Sequence, residues 1–471
     1  MPFRPSPRPS RLPFRHALLP LLALLLAGPV LLVPSAAQAD PADSLVLDAP
    51  AYGKTGLAAP FGVTLTDGAG TALAGATVAL QRLDTAWTTV TSGRTGSDGR
   101  ATLRTPLPVG YHSYRAVWAG DASHPALTSA TADVKGVRLA SVVTVSAAAT
   151  VVDERRTPLS VVWRASDGTP ISGTVTVFRR LRGASWATYT RVRTAADGRA
   201  TLLVMPRVDS VWRATGTGTS WWLGDASPSI VIDNVPPVAP VAYPAGAPLP
   251  AATPAQGRAQ GLGANAVVTR LPDAVWRSMV GRSWHRGCPV GRSGLRLLRV
   301  NYWGFDGYRY RGEMVLATAV AGRAGAALRE MYNGRFPIRR MYRVDRFGWS
   351  SRLQGANDYA SMGADNTSGF NCRSVVNRPG VRSPHAWGRA LDVNTWENPY
   401  RSATGLVPNS WWQSHSDRRI AWRSRSHAVV RLMAAHGLRW TYGLGDTQHF
   451  DARTASGRVQ VPRACVDVVC H

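Results

Sequence analysis

Apolar and polar residues alternate with a period of two in two segments of the chain between residues 44 and 235. The clearest stretches are TVAL at 77–80 and TVTV at 174–177, and Asp-Gly turn signals follow them at 98–99 and 197–198. Alternation of this kind is typical of half-buried strands, and Asp-Gly favours tight hairpin turns. The pattern therefore predicts short antiparallel strands throughout this part of the chain.

The two segments repeat one layout. SDGRATL at 97–103 corresponds to ADGRATL at 196–202, and GDAS occurs in both copies, so matching landmarks lie about 100 residues apart. Many short strands with regular turns over such a length are typical of a β-sandwich. We therefore predict one sandwich over residues 44–137 and a second over 138–235. Both resemble the immunoglobulin-like domains of bacterial surface proteins.

Each copy also contains a tryptophan at a matching position, Trp87 in the first and Trp186 in the second. An aromatic side chain can stack on a ligand at a surface or fill a hydrophobic core. We predict a core position for both. Neither copy contains a catalytic constellation, so these modules are predicted to bind or to act as spacers.

The pattern changes after residue 235. Residues 236–266 are rich in Pro, Ala and Gly, which predicts a semi-rigid linker. Beyond it, residues 295–318 predict a hairpin with its turn at 304–307, and apolar spacing predicts helices over 321–333 and 418–437. Strands and helices do not alternate regularly here. The fold class is therefore multidomain, with two all-β immunoglobulin-like sandwiches followed by an α+β domain over 267–471 that contains a small antiparallel sheet.

The N-terminal 39 residues have the pattern of a secretory signal peptide. Arginines precede the apolar run ALLPLLALLLAGPVLLV at 17–33, and Ala37-Gln38-Ala39 has the small-x-small form of a cleavage site. A retained N-terminal anchor is the alternative. No later stretch is long and apolar enough to span a membrane. The mature chain is therefore expected to be secreted, either extracellular or associated with the cell wall.

Four cysteines fit this expectation, because disulfides form in exported proteins. They are Cys288, Cys372, Cys465 and Cys470. Two disulfides could form in three connectivities, of which we favour Cys288–Cys372 and Cys465–Cys470. A structural zinc cluster is disfavoured because no Cys-x-x-Cys pair occurs.

The formal net charge of +27 comes almost wholly from arginine, since Lys54 and Lys135 are the only lysines. Such a charge favours polyanions, and for an exported chain it points to anionic cell-wall polymers. Nucleic acid is disfavoured because no recognition motif is present. The alternative is that the high arginine content increases solubility or reflects the composition of the genome.

The stretch SPHAWGRALDVNTW at 383–396 carries the candidate chemistry. His385 and Asp392 would lie on opposite faces of a continuous strand, so a shared site requires a bend, which Gly388 permits. Imidazole and carboxylate ligands suit Zn²⁺, and catalytic zinc sites use three protein ligands. His449 is the candidate for the third ligand, and Asp446 is placed to accept a proton from the attacking water.

Four motifs together resemble the zinc D-alanyl-D-alanine carboxypeptidase family, which cleaves peptidoglycan stem peptides and has a hedgehog-like zinc site. They are DNTSGFNCR at 365–373, SPHAWGRALDVN at 383–394, ENPY at 397–400 and DTQHF at 446–450. The resemblance covers about residues 282–450 and implies that His385, Asp392 and His449 are the zinc ligands. It also implies that Asp446 is the catalytic base and that Arg373 contacts the substrate and transition state.

Three further residues are candidates for roles around this site. Ser368 and Ser383 are candidate substrate-binding residues, although a local turn role for Ser383 is equally consistent with the sequence. Asp451 could orient a ligand or lie in solvent. The chain departs from the family where relatives often have Glu in place of Asp446 and Ala in place of Gly369, which bears on substrate preference.

The sequence therefore predicts a secreted zinc metallopeptidase that removes the terminal residue of D-Ala-D-Ala stem peptides. An endopeptidase that cuts an L-Ala-D-Glu or cross-bridge bond is the nearest alternative. A non-catalytic protein that binds the cell wall is the alternative from another class.

Overall fold

The computed structural model of the chain describes residues 42–375, 378–402 and 405–454, together with 458 and 469. The predicted signal peptide, as well as Cys465 and Cys470, lies outside the described residues. The chain divides into two compact units, residues 1–139 and 140–471. None of the helices among the described residues is long and apolar enough to cross a membrane.

The first unit contains one β-sandwich. Its strands are β1 Ser44–Asp48, β2 Tyr52–Lys54, β3 Ala58–Thr66, β4 Thr77–Leu83, β5 Trp87–Arg94, β6 Arg100–Pro106, β7 Gly110–Trp118, β8 Leu127–Thr128 and β9 Ala132–Val137. One sheet has the order β1-β3-β6 and the other β2-β9-β7-β4-β5, with β8 paired to β7. Alternating residues of the two sheets face each other and form the core, as the period of two predicted.

The second sandwich repeats this topology strand for strand. Its strands are β10 Ser141–Ala147, β11 Thr150–Val152, β12 Thr157–Ala165, β13 Thr174–Leu181, β14 Ala187–Arg193, β15 Arg199–Val204, β16 Ser210–Gly216, β17 Asp225–Ala226 and β18 Ile230–Val235. The sheet orders are β10-β12-β15 and β11-β18-β16-β13-β14, with β17 paired to β16. This correspondence fits the internal duplication seen in the sequence.

The prediction that Trp87 and Trp186 lie in the sandwich cores is wrong. Both rings are half-buried, and an arginine guanidinium covers each of them. The buried tryptophans of the sandwiches are instead Trp118, Trp163 and Trp212. With these large rings already inside, Trp87 and Trp186 lie outside the packed interior.

The C-terminal domain is α+β. Its strands are β19 Val267–Arg270, β20 Leu295–Trp303, β21 Arg309–Ala317, β22 Trp349–Ser350, β23 Gly355–Ala356, β24 Ser374–Val375, β25 Arg378–Arg382, β26 Ala390–Asp392, β27 Tyr400–Ser402, β28 Gly405–Val407, β29 Leu438–Arg439 and β30 His449–Ala452. Its helices are α1 Asp273–Met279, α2 Thr318–Asn333, α3 Asp358–Gly363 and α4 Ala428–Ala435. The predicted hairpin is β20–β21, and the first predicted helix is α2.

Two antiparallel three-stranded sheets and the helices α2 and α4 enclose the main core of this domain. The sheets have the orders β19-β20-β21 and β26-β30-β29. Leu298, Met314 and Leu328 from the first sheet and α2 meet Leu391 and Phe450 from the second sheet. The strands that carry Asp392 and His449 are thus anchored from behind by buried apolar side chains.

The predicted helix over 418–437 forms only in its second half, as α4. Before it, Asp417 Oδ1 accepts hydrogen bonds from the backbone N–H groups of Arg419 and Ile420, and Asn398 Oδ1 accepts one from Trp422. Side chains thus satisfy the donors that a helix would have used. The His427 imidazole then caps α4 by accepting from the N–H of Val429.

The segment predicted as a linker, residues 236–266, lies along the C-terminal domain. The Val241 N–H donates to the carbonyl of Phe305 at 2.7 Å, and the Ala251 N–H donates to that of Gly363 at 2.7 Å. The second sandwich also contacts this domain, since Arg309 Nη2 lies 2.6 Å from Glu154 Oε2. This proline-rich segment, which we call the strap, pairs with a strand of that domain at an isolated bridge between Arg258 and Tyr310 of β21.

Cys288 and Cys372 form a disulfide, as we predicted, across a sequence separation of 84 residues. We expect the double substitution Cys288→Ser/Cys372→Ser to lower the free energy of unfolding by about 2–5 kcal/mol, because the closed loop restricts the unfolded chain. Urea unfolding of the variant and the wild type measures the loss. An unchanged urea midpoint would show that the bond contributes nothing.

Candidate metal centre

His385 lies in a short 3-10 turn, Pro384–Trp387, that a left-handed glycine ends. Ser383 precedes the turn, and its Oγ accepts a long hydrogen bond of 3.4 Å from the His385 N–H. Gly388 follows it with φ of 65°, a conformation that residues with a Cβ rarely adopt. The predicted bend between His385 and Asp392 is therefore present at Gly388.

Asp392 and His449 face each other across neighbouring strands. Asp392 ends β26 and pairs with His449, the first residue of β30. Directly opposite residues of an antiparallel pair point to the same face, so both side chains reach the same side of the sheet. The bend at Gly388 brings His385 to that side as well.

Three candidate ligand atoms converge there. His385 Nε2 lies 3.2 Å from Asp392 Oδ2, His449 Nδ1 lies 3.2 Å from Asp392 Oδ1, and the two ring nitrogens are 3.1 Å apart. All three residues are buried, and their ligand atoms lie within 4.8 Å of one another. The structure thus brings together the three residues that the sequence predicted as ligands.

The outer nitrogen of each imidazole has its own partner. His385 Nδ1 is 2.8 Å from the carbonyl oxygen of Gly369, and His449 Nε2 is 3.0 Å from Asp451 Oδ1. When the outer nitrogen carries the hydrogen and donates it to this partner, the other nitrogen has a free lone pair. That nitrogen, His385 Nε2 or His449 Nδ1, directs its lone pair into the cluster. Two imidazoles and a carboxylate form a donor set that fits zinc. Asp451, which is buried, orients a candidate ligand and does not lie in solvent.

We expect Asp451→Asn to weaken zinc binding about 10- to 100-fold, because the carboxylate that orients His449 and raises its basicity is lost. Competition with a zinc-chelating dye measures the affinity. Glu330→Gln is a matched control, since Glu330 is 53% exposed and pairs with His436 away from the cluster. Equal affinities of the two variants would contradict the role given to Asp451.

The structure leaves no room for a side chain at Gly369. A Cβ at this position would lie 2.6 Å from the carbonyl oxygen of Val315 and 2.8 Å from Leu316 Cδ2. The backbone of residue 369 therefore packs tightly against β21. This close approach places the Gly369 carbonyl where it accepts from His385.

Asp446, the predicted base, is fully buried beside the cluster. It follows a 3-10 turn at Gly443–Gly445, and its backbone bridges to Tyr400. Burial lowers the pKa of His449, but the charges of Asp451 and Asp446 and the hydrogen bonds of Asp451 and Asp392 outweigh it, so the pKa of His449 lies well above its usual value. The Asp446 carboxylate thus acts electrostatically on a candidate ligand.

Arg373 is fully buried, and its Nη2 lies 2.6 Å from Asp358 Oδ2. Its charge also acts on Tyr400: burial raises the pKa of the Tyr400 hydroxyl, Arg373 lowers it, and Tyr359, Asp358 and Asp446 raise it further. Tyr400 therefore lies close enough to the candidate base and to the arginine for both charges to act on it. The sequence did not indicate the contacts of Asp358 and Tyr400 with this site. The signal for Tyr400 was its place in the ENPY motif.

The two candidate serines lie near the cluster in different ways. Ser368 is buried and exchanges two backbone hydrogen bonds with Asp392, which tethers the strand end that carries the ligand. Ser383 caps the turn that holds His385, so it has the local turn role that the sequence left open. Both contribute to the geometry of the ligands.

The other histidines that the structure describes in the C-terminal half do not join the cluster. His415 stacks on Trp411, His427 caps α4, and His436 pairs with Glu330. His285 lies near Cys288 and Cys372, but the disulfide leaves no thiolate to bind a metal.

A second buried polar network lies under the ENPY motif. Arg339 is 2.9 Å from Asp365 Oδ2, and the strap residue Tyr243 donates its hydroxyl hydrogen to Glu397. Burial and the neighbouring charge of Asp365 raise the pKa of Glu397 well above its usual value. The network joins the strap to the segment that leads into Tyr400.

Residues 377–452 match the model of the D-alanyl-D-alanine carboxypeptidase family. Among solved structures, the chain is similar to the D0-D1 domain of Intimin, at 18% identity over 40% of this chain and 97% of that chain, with a TM-score of 0.16. It is also similar to a marsupial T cell receptor, at 7% identity over 55% of this chain and 81% of that chain, with a TM-score of 0.20. No curated protein matches the chain. The family match confirms the resemblance inferred from the sequence motifs.

Proposed function

We propose that the chain is a secreted zinc metallopeptidase that hydrolyses peptidoglycan stem peptides as a D-alanyl-D-alanine carboxypeptidase. The observation that carries the proposal is the buried convergence of His385, Asp392 and His449. The peptidase-family match over the same residues supports it. The exported location rests on the signal-peptide pattern at residues 1–39.

The residues present fit a zinc ion, since the three donors converge and the outer imidazole nitrogens are held by Gly369 and Asp451. When bound, zinc acts as a Lewis acid on the scissile carbonyl and lowers the pKa of water in its coordination sphere toward about 7. Asp446 accepts the proton that the attacking water loses and returns it to the leaving amine. Its burial excludes bulk water from competing for that proton.

Arg373 supplies a permanent positive charge to the same site. Its guanidinium can stabilise the developing oxyanion or bind the terminal carboxylate of the substrate. Asp358 fixes its orientation through their short ion pair. A rigid, correctly aimed cation stabilises charge without reorganising during the reaction.

Two alternatives differ in the product they would give. An endopeptidase would cut an L-Ala-D-Glu or cross-bridge bond inside the peptide. A wall-binding protein would give no product.

The test is mass spectrometry of soluble muropeptides after incubation with the full mature chain. We expect loss of a terminal D-Ala that stops when a chelator removes the metal and returns when zinc is added back. Internal fragments would establish the endopeptidase. No product under any metal condition would overturn the enzyme in favour of the binder.

A further inference from the structure

The larger sheet of the second sandwich exposes an outer face rich in arginine. Thr174, Thr176, Phe178 and Arg180 alternate with the core residues Val175 and Val177 along β13 and therefore share the outer face. The strand register adds Arg191 and Arg193 from β14, opposite Thr176 and Thr174, and Arg213 from β16, opposite Phe178. We call Phe178, Arg180, Trp186, Arg191, Arg193 and Arg213 the arginine face.

Two of these arginines are held in place by an aromatic ring. The Arg213 guanidinium carbon lies 4.4 Å from the centre of the Trp186 ring, and that of Arg180 lies 4.9 Å from it. A guanidinium that lies over an aromatic ring is restricted in its orientation, and the N–H groups at its edge remain available to bind a ligand. A ligand that binds them therefore meets donors that have already lost much of their rotational freedom.

The arginine face contains no acidic residue of its own, and the acid Asp233 lies on the neighbouring strand β18. Strands β13, β14 and β16 contain no Asp or Glu residue. None of its four arginines forms a salt bridge within the described part of the chain, whereas Arg207 of the same sandwich pairs with Asp153 and Glu154. Three of the four, Arg180, Arg191 and Arg193, are exposed. Four guanidiniums thus present a concentrated positive charge.

The first sandwich provides an internal comparison. Its stacked pair is conserved in geometry, with Arg115 at 4.3 Å from the Trp87 ring centre. The positions that correspond to Phe178, Arg180 and Arg191 are occupied by Gln81, Leu83 and Ser92. Gln81 moreover accepts a hydrogen bond from Arg115 at 2.9 Å. The same fold therefore does not require the extra arginines, which are particular to the second copy.

An open cavity of about 450 Å³ adjoins one end of the arginine face. Arg180, Arg182 and Val211 line it together with Val231, which is 54% exposed. Asp209 is the acidic residue in its lining, and its Oδ1 accepts a hydrogen bond from the Asn234 N–H. The cavity offers room for the non-ionic part of a polymer unit beside the guanidinium of Arg180.

We propose that the arginine face binds an anionic cell-wall glycopolymer with phosphodiester groups along its chain. An arginine guanidinium can donate two parallel hydrogen bonds to the oxygens of one phosphate group. Neighbouring threonine hydroxyls can form hydrogen bonds with the sugar or polyol units. That the polymer comes from the cell wall rests on the proposed function. Binding through the second sandwich holds the chain on its insoluble substrate without using the peptidase site.

The test measures binding of fluorescently labelled poly(glycerol phosphate) to the full mature chain by anisotropy. Arg180→Leu/Arg191→Ser installs the residues of the first sandwich at the matching positions. We expect it to raise Kd about 10- to 50-fold and to make the slope of log K against log salt shallower by about 1.4, which corresponds to two lost phosphate contacts. Arg155→Gln/Arg156→Gln removes the same charge from an exposed turn of the same sandwich and is expected to leave Kd within about twofold.

Several outcomes would overturn the proposal. They are absence of binding by the wild type, equal losses in the two double variants, and tighter binding of polygalacturonate, a carboxylate polymer, than of poly(glycerol phosphate). Arg180→Gln/Arg191→Gln serves if the first variant does not fold, and it must show the same loss. Cleavage of soluble muropeptides by the same samples separates the proposals, since the arginine-face variants are expected to cleave normally.

Discussion

Replacing Asp446 with asparagine is expected to lower kcat for stem-peptide hydrolysis about 10²- to 10⁴-fold, the usual contribution of a positioned general base. Asparagine has nearly the same shape but cannot accept the proton of the attacking water. Asp446 is fully buried, and its backbone bridge to Tyr400 does not depend on the carboxylate. The substituted side chain should therefore occupy the same place. Single-turnover kinetics on a defined pentapeptide measure the loss.

The metal content of the Asp446→Asn variant separates a base from a metal ligand. We expect one zinc per chain in the variant as in the wild type, because His385, Asp392 and His449 are intact. Glu330→Gln again serves as the control, and its kcat should not change. If the variant loses both zinc and activity, Asp446 binds the metal and another group accepts the proton. If it keeps full activity, the assignment of the base is wrong.

The sequence predicted the elements that depend on local pattern. Alternation and Asp-Gly turns indicated the sandwiches, and the β20–β21 hairpin and helix α2 formed where their spacing placed them. The metal cluster was also predictable, because the glycine between His385 and Asp392 signals a bend, and the motif around His449 supplies the third donor. For the sandwiches, the hairpin and the helix, a short stretch of sequence contains the whole signal, whereas the metal cluster needs the two separate motifs at 383–394 and 446–450.

Features that depend on partners distant in sequence were not predictable in this way. Residues 418–427 have helical spacing, but Asn398 and Asp417 satisfy their backbone donors in another conformation. The strap at 236–266 has the composition of a linker, and its order comes from contacts made by Phe305 and Gly363. The ion pair of Arg373 with Asp358 has no spacing that would reveal it. Such contacts are created by the tertiary fold.

Gly388→Ala is expected to lower the free energy of unfolding by about 2–5 kcal/mol and to weaken zinc binding at the same time. A left-handed conformation costs a residue with a Cβ about 1–2 kcal/mol. At this position the Cβ would also lie 2.6 Å from the backbone nitrogen of Ala317, which donates a 2.8 Å hydrogen bond to the Gly388 carbonyl. The backbone at the bend has to move to relieve that clash. Crowding of a packed site adds about 1–3 kcal/mol to the loss of unfolding free energy.

The comparison with Gly281→Ala isolates the effect of the clash. Gly281 has φ of 77°, and a Cβ there meets no atom within 4 Å, so only the conformational cost of about 1–2 kcal/mol applies. Urea unfolding measures both losses, and titration with a zinc-chelating dye measures the affinity. Because Gly388 lies between His385 and Asp392, a displaced bend separates two ligands, whereas Gly281→Ala should bind zinc as the wild type does. Equal unfolding losses in the two variants, with zinc affinity unchanged in both, would show that the tight contact of Gly388 with β21 does not hold the ligands together.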